Sequence, residues 1–527
     1  MNIRTFALAT TALVLPLAAA ASDNDAFLEQ VGTNNQALIE QSGANNDAGS
    51  AANPILQTGE NSTLEGNNSL AILQETDGNV IGLTNGGVVQ SQRNQFGMTP
   101  LANSASLTQT GGNGNVIGGV SQRENGGPGS ANVPNTLVVL QDGTSNELGM
   151  VDQVGKPNDA NVANITQTGA NNEIELAEQI VNNSGSGVNS LTLAQNGSGN
   201  FIGRASQRGT RNTATVRQDG DNNNAAGFRV LSFSFATDFL GGAAFGDVTQ
   251  IGRNNSLDYM ATGNFNAMGF LQDGAFNTVG NVTVIGNRNQ TAATQIGEGN
   301  TITIAPVVGS FNDVGVGQGG DDNTATVTIS SGGSFNNFGV GQIGNTNTAT
   351  LTGSGNGNIG AVVQFGNDNT ATVSADGNRN LVAGASVGSD NTITVAVTGS
   401  RNLAAVGQLG SVNTASLTVI GNDNGGGAFS GNAFTADAAG AFFVDVGLGG
   451  LVSSGSGLVG QIGSDNDFIG SIDGNNNEFG AVQLGDDNTI TATVTGNMNQ
   501  FAIAQLSSSN VATVTQMGNG NNAGVLQ

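Results

Sequence analysis

The sequence predicts an all-β protein, a β-solenoid of 22-residue coils each built from two 11-residue strand-turn halves. Three observations carry that prediction. First, corner glycines recur every 11 residues at Gly366, Gly377, Gly388, Gly399, Gly410 and Gly421, and each is followed three residues later by an asparagine: Asn369, Asn380, Asn391, Asn402, Asn413 and Asn424. Second, the residues after each asparagine alternate, as in Asn369-Thr370-Ala371-Thr372-Val373, which is the period of a strand rather than of a helix. Third, in most of the alternate halves a glutamine stands two residues before the corner residue, a glycine after Gln342, Gln364, Gln408, Gln461 and Gln483 and Ser507 after Gln505. Gln342, Gln364, Gln408, Gln461, Gln483, Gln505 and Gln527 form that series, whereas the alternate halves carry Ala375, Val397, Val419, Ile472 or Val494. Repeats this short hold too little apolar surface to fold singly, so they must stack. Thr, Val and Ile favour pleated backbone, and G-N-D-N or G-S-D-N supplies the conformations of tight corners.

Along the chain, residues 1–21 read as a secretory signal peptide: Arg4, an apolar run through Leu17, then Ala19-Ala20-Ala21. Residues 22–247 hold the repeat less strictly, with insertions, and residues 248–424 hold it regularly. Residues 425–458 are a Gly/Ala/Phe-rich interruption, and residues 459–527 resume the repeat to Gln527, which ends the sequence on a ladder position as a sticky last coil. A second apolar interruption runs from Phe228 to Phe245. After residue 21 every proline lies between Pro54 and Pro306, and since proline cannot donate to a ladder these mark loops or corners.

Beyond residue 21 the chain has 12 basic and 39 acidic residues, a net charge of −27, and Lys156 is its only lysine. Such a polyanion is a poor partner for nucleic acid or an anionic membrane. No later segment has the length of apolar sequence needed for a transmembrane helix, so the mature chain is expected to be exported. Cysteine is absent, which removes disulfides and thiolate metal sites, and no cofactor is expected.

The motif Q-x-G-x-x-N-x-A-x-x-x-Q at Gln30 to Gln41 and at Gln207 to Gln218 resembles the curlin repeat of bacterial curli fibres, and variants of it cover most of the chain. The resemblance implies an extracellular amyloid subunit, passed through an outer-membrane secretion channel, that associates with itself or with other curlin-type subunits in adhesion and biofilm matrix. This chain is several times longer than the family's small subunits and nearly lacks Tyr and His. Fibre subunit, nucleator and large surface adhesin are all open roles.

The repeat also has a physical reading of its own. In Asn402-Leu403-Ala404-Ala405-Val406-Gly407-Gln408, the residues Asn402, Ala404, Val406 and Gln408 share one face of a strand. Two such faces about 10 Å apart leave room for small aliphatics and little else. The enclosed Asn and Gln amides then need partners, which identical residues one coil away can supply as continuous ladders. That arrangement is either a self-propagating template or a finished, non-polymerising solenoid.

The outer faces of the two halves differ. One presents Thr-x-Thr pairs such as Thr370/Thr372 and Thr392/Thr394, which also fits an ice-binding β-solenoid. The other presents Ala361 and Val363, Ala383 and Ala385, Ala405 and Gly407, Ala502 and Ala504, a flat surface expected to be free for packing one solenoid on another. Asp368 and Asp390 share one corner, and Arg379 and Arg401 the other. Oxygen-rich corners suit calcium, but the glycine-rich calcium nonapeptide is missing and solvated turns are the simpler reading, so no metal site is expected. Without His or Cys there is neither an imidazole base nor a thiol nucleophile, and the acids lie scattered, so no enzyme is expected. A polysaccharide-active β-helix is the remaining enzymatic alternative.

Overall fold

The computed structural model describes residues 6–8, 23–31, 35–59, 68–83, 87–93, 103–125, 134–156, 159–181, 187–224, 245–330, 332–426 and 456–527. Most of the leader 1–21 and nearly all of both apolar interruptions lie outside the described residues. The chain forms two compact units, one of residues 1–229 with 243–278, the other of residues 230–242 with 279–527. Among the described residues there is no helix, and none is therefore long and apolar enough to cross a membrane.

In each unit the chain winds through two parallel sheets. Successive strands alternate between the sheets, and each strand pairs with its counterpart one coil on. In the second unit one sheet runs through Asn337–Ile343, Ile359–Phe365, Leu381–Ser389 and Leu403–Ser411, and the other through Thr348–Ser354, Thr370–Asn378, Thr392–Ser400 and Thr414–Asn422. Register never slips: Thr370 faces Thr392 and then Thr414, and Gln342 faces Gln364. The late interruption does not disturb it, because Ala405 to Ser411 pairs directly with Leu458 to Ser464. Early in the first unit the same pattern holds, Gln30 facing Gln57 and Gln57 facing Gln90.

Each coil closes at corners of one design. The corner glycine takes a φ between 111° and 129° at Gly366, Gly377, Gly388, Gly399, Gly410 and Gly421, and two residues on a left-handed residue follows, such as Asp368, Arg379, Asp390 or Arg401. Gly399 shows why no other residue serves. A Cβ there would stand 1.7 Å from the carbonyl oxygen of Gly421 on the next coil, and the backbone conformation is itself strained for a side chain.

The interior differs from the expectation of small aliphatics alone. Tyr259 and Phe270 in the first unit, and Phe338, Phe468, Phe479 and Phe501 in the second, are fully enclosed. Volume is conserved across the coil: a Cβ on Gly353 would lie 2.1 Å from Phe338 Cζ, and one on Gly470 would lie 2.7 Å from Phe468 Cζ. A large ring is matched by a missing side chain, on the facing strand for Phe338 and two residues along the same strand for Phe468, as close packing requires.

A second expectation is overturned. The outward-pointing residues Ala361, Val363, Ala383, Ala385, Ala405, Ala502 and Ala504 are not free; each is at most 3% exposed. Ala361 to Ala405 join Leu458 and Val482 in one apolar cluster, with Phe365, Val387, Leu403 and Ile462 packed against it. A continuous small-residue face is apolar, and leaving it in water would forgo about 25 cal/mol per Å². The chain buries this face itself. The Thr-bearing sheet keeps the expected alternation instead, with Thr370 and Thr372 exposed and Ala371 and Val373 buried.

Candidate functional site: the amide ladders

The corner geometry sends the repeated Asn and Gln inward, where most are almost completely buried; Gln30, Gln41, Asn510 and Asn521 are half-buried and Gln527 is exposed. In the second unit Gln342 donates from Nε2 to Oε1 of Gln364 at 2.8 Å, and Gln408 to Gln461, Gln461 to Gln483, Gln483 to Gln505 and Gln505 to Gln527 at 2.8, 2.8, 3.1 and 2.9 Å. Each amide uses its other N–H on a backbone carbonyl of the facing sheet: Gln364 on Thr348, Gln408 on Thr392, Gln461 on Thr414, all at 3.0–3.1 Å. Along these runs each amide donates in the same direction along the stack, as in cross-β fibrils.

The asparagines do a different job. Asn391 donates from Nδ2 to Oδ1 of Asn369 at 3.0 Å, and its backbone N–H donates to that same oxygen at 3.2 Å. Its second amide proton goes to the carbonyl of Gly410 on the next coil at 2.9 Å. Asn369, Asn380, Asn402 and Asn413 repeat the contact to a corner glycine carbonyl, at 2.8, 2.9, 2.8 and 2.8 Å. One side chain thus ties three consecutive coils at the corner, where strand hydrogen bonding gives out.

All of the sequence-chosen ladder residues lie on these columns, and the structure adds a column that the sequence reading did not separate. In the first unit both sheets carry glutamine. Gln57, Gln90, Gln122, Gln153, Gln179, Gln207 and Gln250 form one chain of amide bonds, each 2.8 Å. Gln41, Gln74, Gln109, Gln141, Gln167 and Gln195 form a second, at 2.8–3.0 Å. The signal was present: Gln30 and Gln41 stand 11 residues apart, half a coil. Residues 21–49, which hold that pair, match the family model of the curlin associated repeat.

The chain carries a curlin repeat. No curated protein matches it. The curlin glutamines of the matched segment, Gln30 and Gln41, donate to Gln57 and Gln74 at 2.6 and 2.9 Å, so each opens one of the two ladders just described.

One rung of the second unit departs from the pattern. Between Gln364 and Gln408 the column holds Ser386, and neither Ser386 Oγ nor Gln408 Oε1 has a hydrogen-bond partner although both are buried. The ladder is interrupted at that coil and resumes at Gln408.

Charge is sparse inside the stacks. Glu124 takes the place of a corner glycine opposite Gly155 in the first unit. Burial, reinforced by the Asp159 carboxylate, pushes it up to about 8. Asp313 in the second unit is pushed up to about 6 by burial. Burial also acts against the Glu178 carboxylate, but hydrogen bonds from Arg204, Ser206 and Arg208 outweigh it and hold the group below its ordinary value. Among the described residues no three carboxylate, imidazole or thiol groups gather where they could hold a metal ion.

Proposed function

We propose that this protein is an extracellular structural subunit that assembles with itself, or with other curlin-type subunits, into amyloid fibres serving cell adhesion and biofilm matrix. The supporting observation is the directional amide ladder. Apart from the coil that carries Ser386, the coils of the ladder offer the next one a row of strand donors and acceptors, a glutamine acceptor and an asparagine oxygen at fixed register. That is the chemistry of a template: a coil from another molecule with the same residues at the same spacing meets the same partners as an internal coil does. In this reading the leader directs export, and an outer-membrane channel passes the chain to the cell surface. The curlin repeat at residues 21–49 supports the structural assignment.

Incubating the purified mature chain alone tests it. Unbranched, thioflavin-positive fibres that shorten the lag of a fresh solution when added as seeds are expected. A chain that stays monomeric, and whose aggregates do not seed, would instead be a non-polymerising surface adhesin.

One observation favours a second reading. The exposed face of the Thr-bearing sheet holds hydroxyls in two straight columns, Thr324, Thr348, Thr370, Thr392 and Thr414, and Thr326, Thr350, Thr372 and Thr394. A regular hydroxyl lattice of this kind suits ordered water. Inhibition of ice recrystallisation by the monomer, lost on replacing Thr372 and Thr394 by Lys, would establish that activity.

A further inference from the structure

One corner column of the second unit is stacked along the solenoid. Arg288 lies over the ring of Phe311 at 5.3 Å, and Phe311 stacks on Phe335 with centroids 4.8 Å apart and planes 7° from parallel. The backbone continues one coil at a time, with Phe335 donating to Ser310, Gly357 to Ser334, Arg379 to Asn356 and Arg401 to Asn378. The column therefore reads Arg, Phe, Phe, Gly, Arg, Arg, and at Gly357 the stack has no side chain. A groove of about 540 Å³ opens there, lined by Phe335, Gly357, Arg379 and Arg401, with the amides of Asn356 and Asn378 along its side.

We propose that this groove is a binding site for a planar aromatic ring bearing one carboxylate or sulfonate. Its thickness sets the shape. Phe335 and Arg379 are two rungs apart, about 9.6 Å, so one flat ring at the level of Gly357 would lie about 4.8 Å from each, the spacing that Phe311 and Phe335 already adopt. Phe335 presents an open face, being 63% exposed. An arene on that face gains an offset stack, and on its other side it meets a guanidinium, which favours aromatic faces.

The charge follows from which arginine is free. Arg401 is held by Asp423 through two hydrogen bonds of 2.6 Å. Arg379 is exposed and, among the described residues, has no ion-pair partner. In a chain of net charge −26 an unpaired guanidinium beside an aromatic slot selects an anion locally.

Titration of the full mature chain with naphthalene-2-sulfonate, followed by the probe's fluorescence, tests the site; the protein has no tryptophan to interfere. The decisive variant is Gly357→Phe. The same left-handed corner accepts Phe at positions 311 and 335, and a Cβ at Gly357 would meet nothing nearer than Arg379 Cγ at 3.5 Å, so the fold should survive and the new ring should fill the slot. Binding is expected to weaken at least tenfold in Gly357→Phe and severalfold in Arg379→Gln. Neutral 2-naphthylmethanol should bind the wild type more weakly than the sulfonate and should not respond to Arg379→Gln. Saturable binding of equal strength in wild type and Gly357→Phe, or no saturable binding in the wild type, would overturn the site. Equal binding of sulfonate and alcohol would overturn the anionic class. Neither result bears on whether the chain forms fibres, which the seeding experiment reads separately.

Discussion

Replacing Gln461 by Leu isolates what a ladder rung contributes. Gln461 accepts from Gln408 and donates to Gln483, both at 2.8 Å, and donates to the Thr414 carbonyl at 3.0 Å. Leucine has nearly the same bulk, so packing changes little, but the Gln408 N–H and the Gln483 oxygen are left unmatched in a site with no water access. Each such group costs about 1–3 kcal/mol, so the coils around residue 461 should lose about 2–6 kcal/mol. Gln408 suffers most, because its Oε1 is already without a partner next to Ser386. Native-state hydrogen exchange read on peptides covering Leu403–Ser411 and Glu478–Leu484 measures the loss locally. At tenfold per about 1.4 kcal/mol, protection there should fall at least about thirtyfold, while Thr489→Ser on the half-buried outer face should leave it within about twofold. Equal exchange in the two variants would refute the claim that the ladder is energetically coupled.

Other consequences follow from the same geometry. Ser386→Gln should close the interrupted column and raise protection of Leu381–Ser389, as read by the same exchange experiment. Gly399→Ala should destabilise its corner severely, because the methyl group meets a carbonyl at 1.7 Å, and limited proteolysis should cut near residue 400. Glu124 binds its proton more tightly folded, at about 8, than its ordinary 4.5. Its contribution to the stability of the first unit should therefore be greatest below about 4.5 and fall by on the order of a few kcal/mol as pH rises from there through 8; urea denaturation of Glu124→Gln should lack that component of the slope. Fibre growth should accelerate from about pH 7 to pH 4 at fixed ionic strength, because neutralising carboxylates lowers repulsion between mature chains of net charge −27. A growth rate flat across that range would show that charge is not the brake.

The solenoid was legible because its period is written in residue types that only one geometry explains. Glycine at the corner, asparagine three residues on and alternation between them specify coil, corner and inward face together. What escaped the sequence depended on contacts between faces rather than along the repeat. Ala383 and Ala405 alternate as outward residues do, and alternation cannot say whether an outward face meets water or the chain itself. Phe338 looks too large for a thin interior until Gly353 and Gly360 are seen beside it. The second glutamine column of the first unit was hidden by its insertions, which spread the spacing from Gln41 to Gln74 and Gln109 over 33 and 35 residues. The slot at Gly357 is visible only once Phe335 and Arg379, 44 positions apart in sequence, are stacked two coils apart.

The central claim is that coils of different molecules can meet as coils of one molecule do. Electron diffraction from aligned assemblies of the purified mature chain, with sedimentation velocity on the same sample, tests it most directly. The account predicts fibres whose strong meridional reflection lies near 4.8 Å, the rung spacing along the ladder, growing as monomer is consumed. A chain that remains monomeric for days between about pH 4 and pH 7, or assembles without a meridional reflection at that spacing, would contradict it.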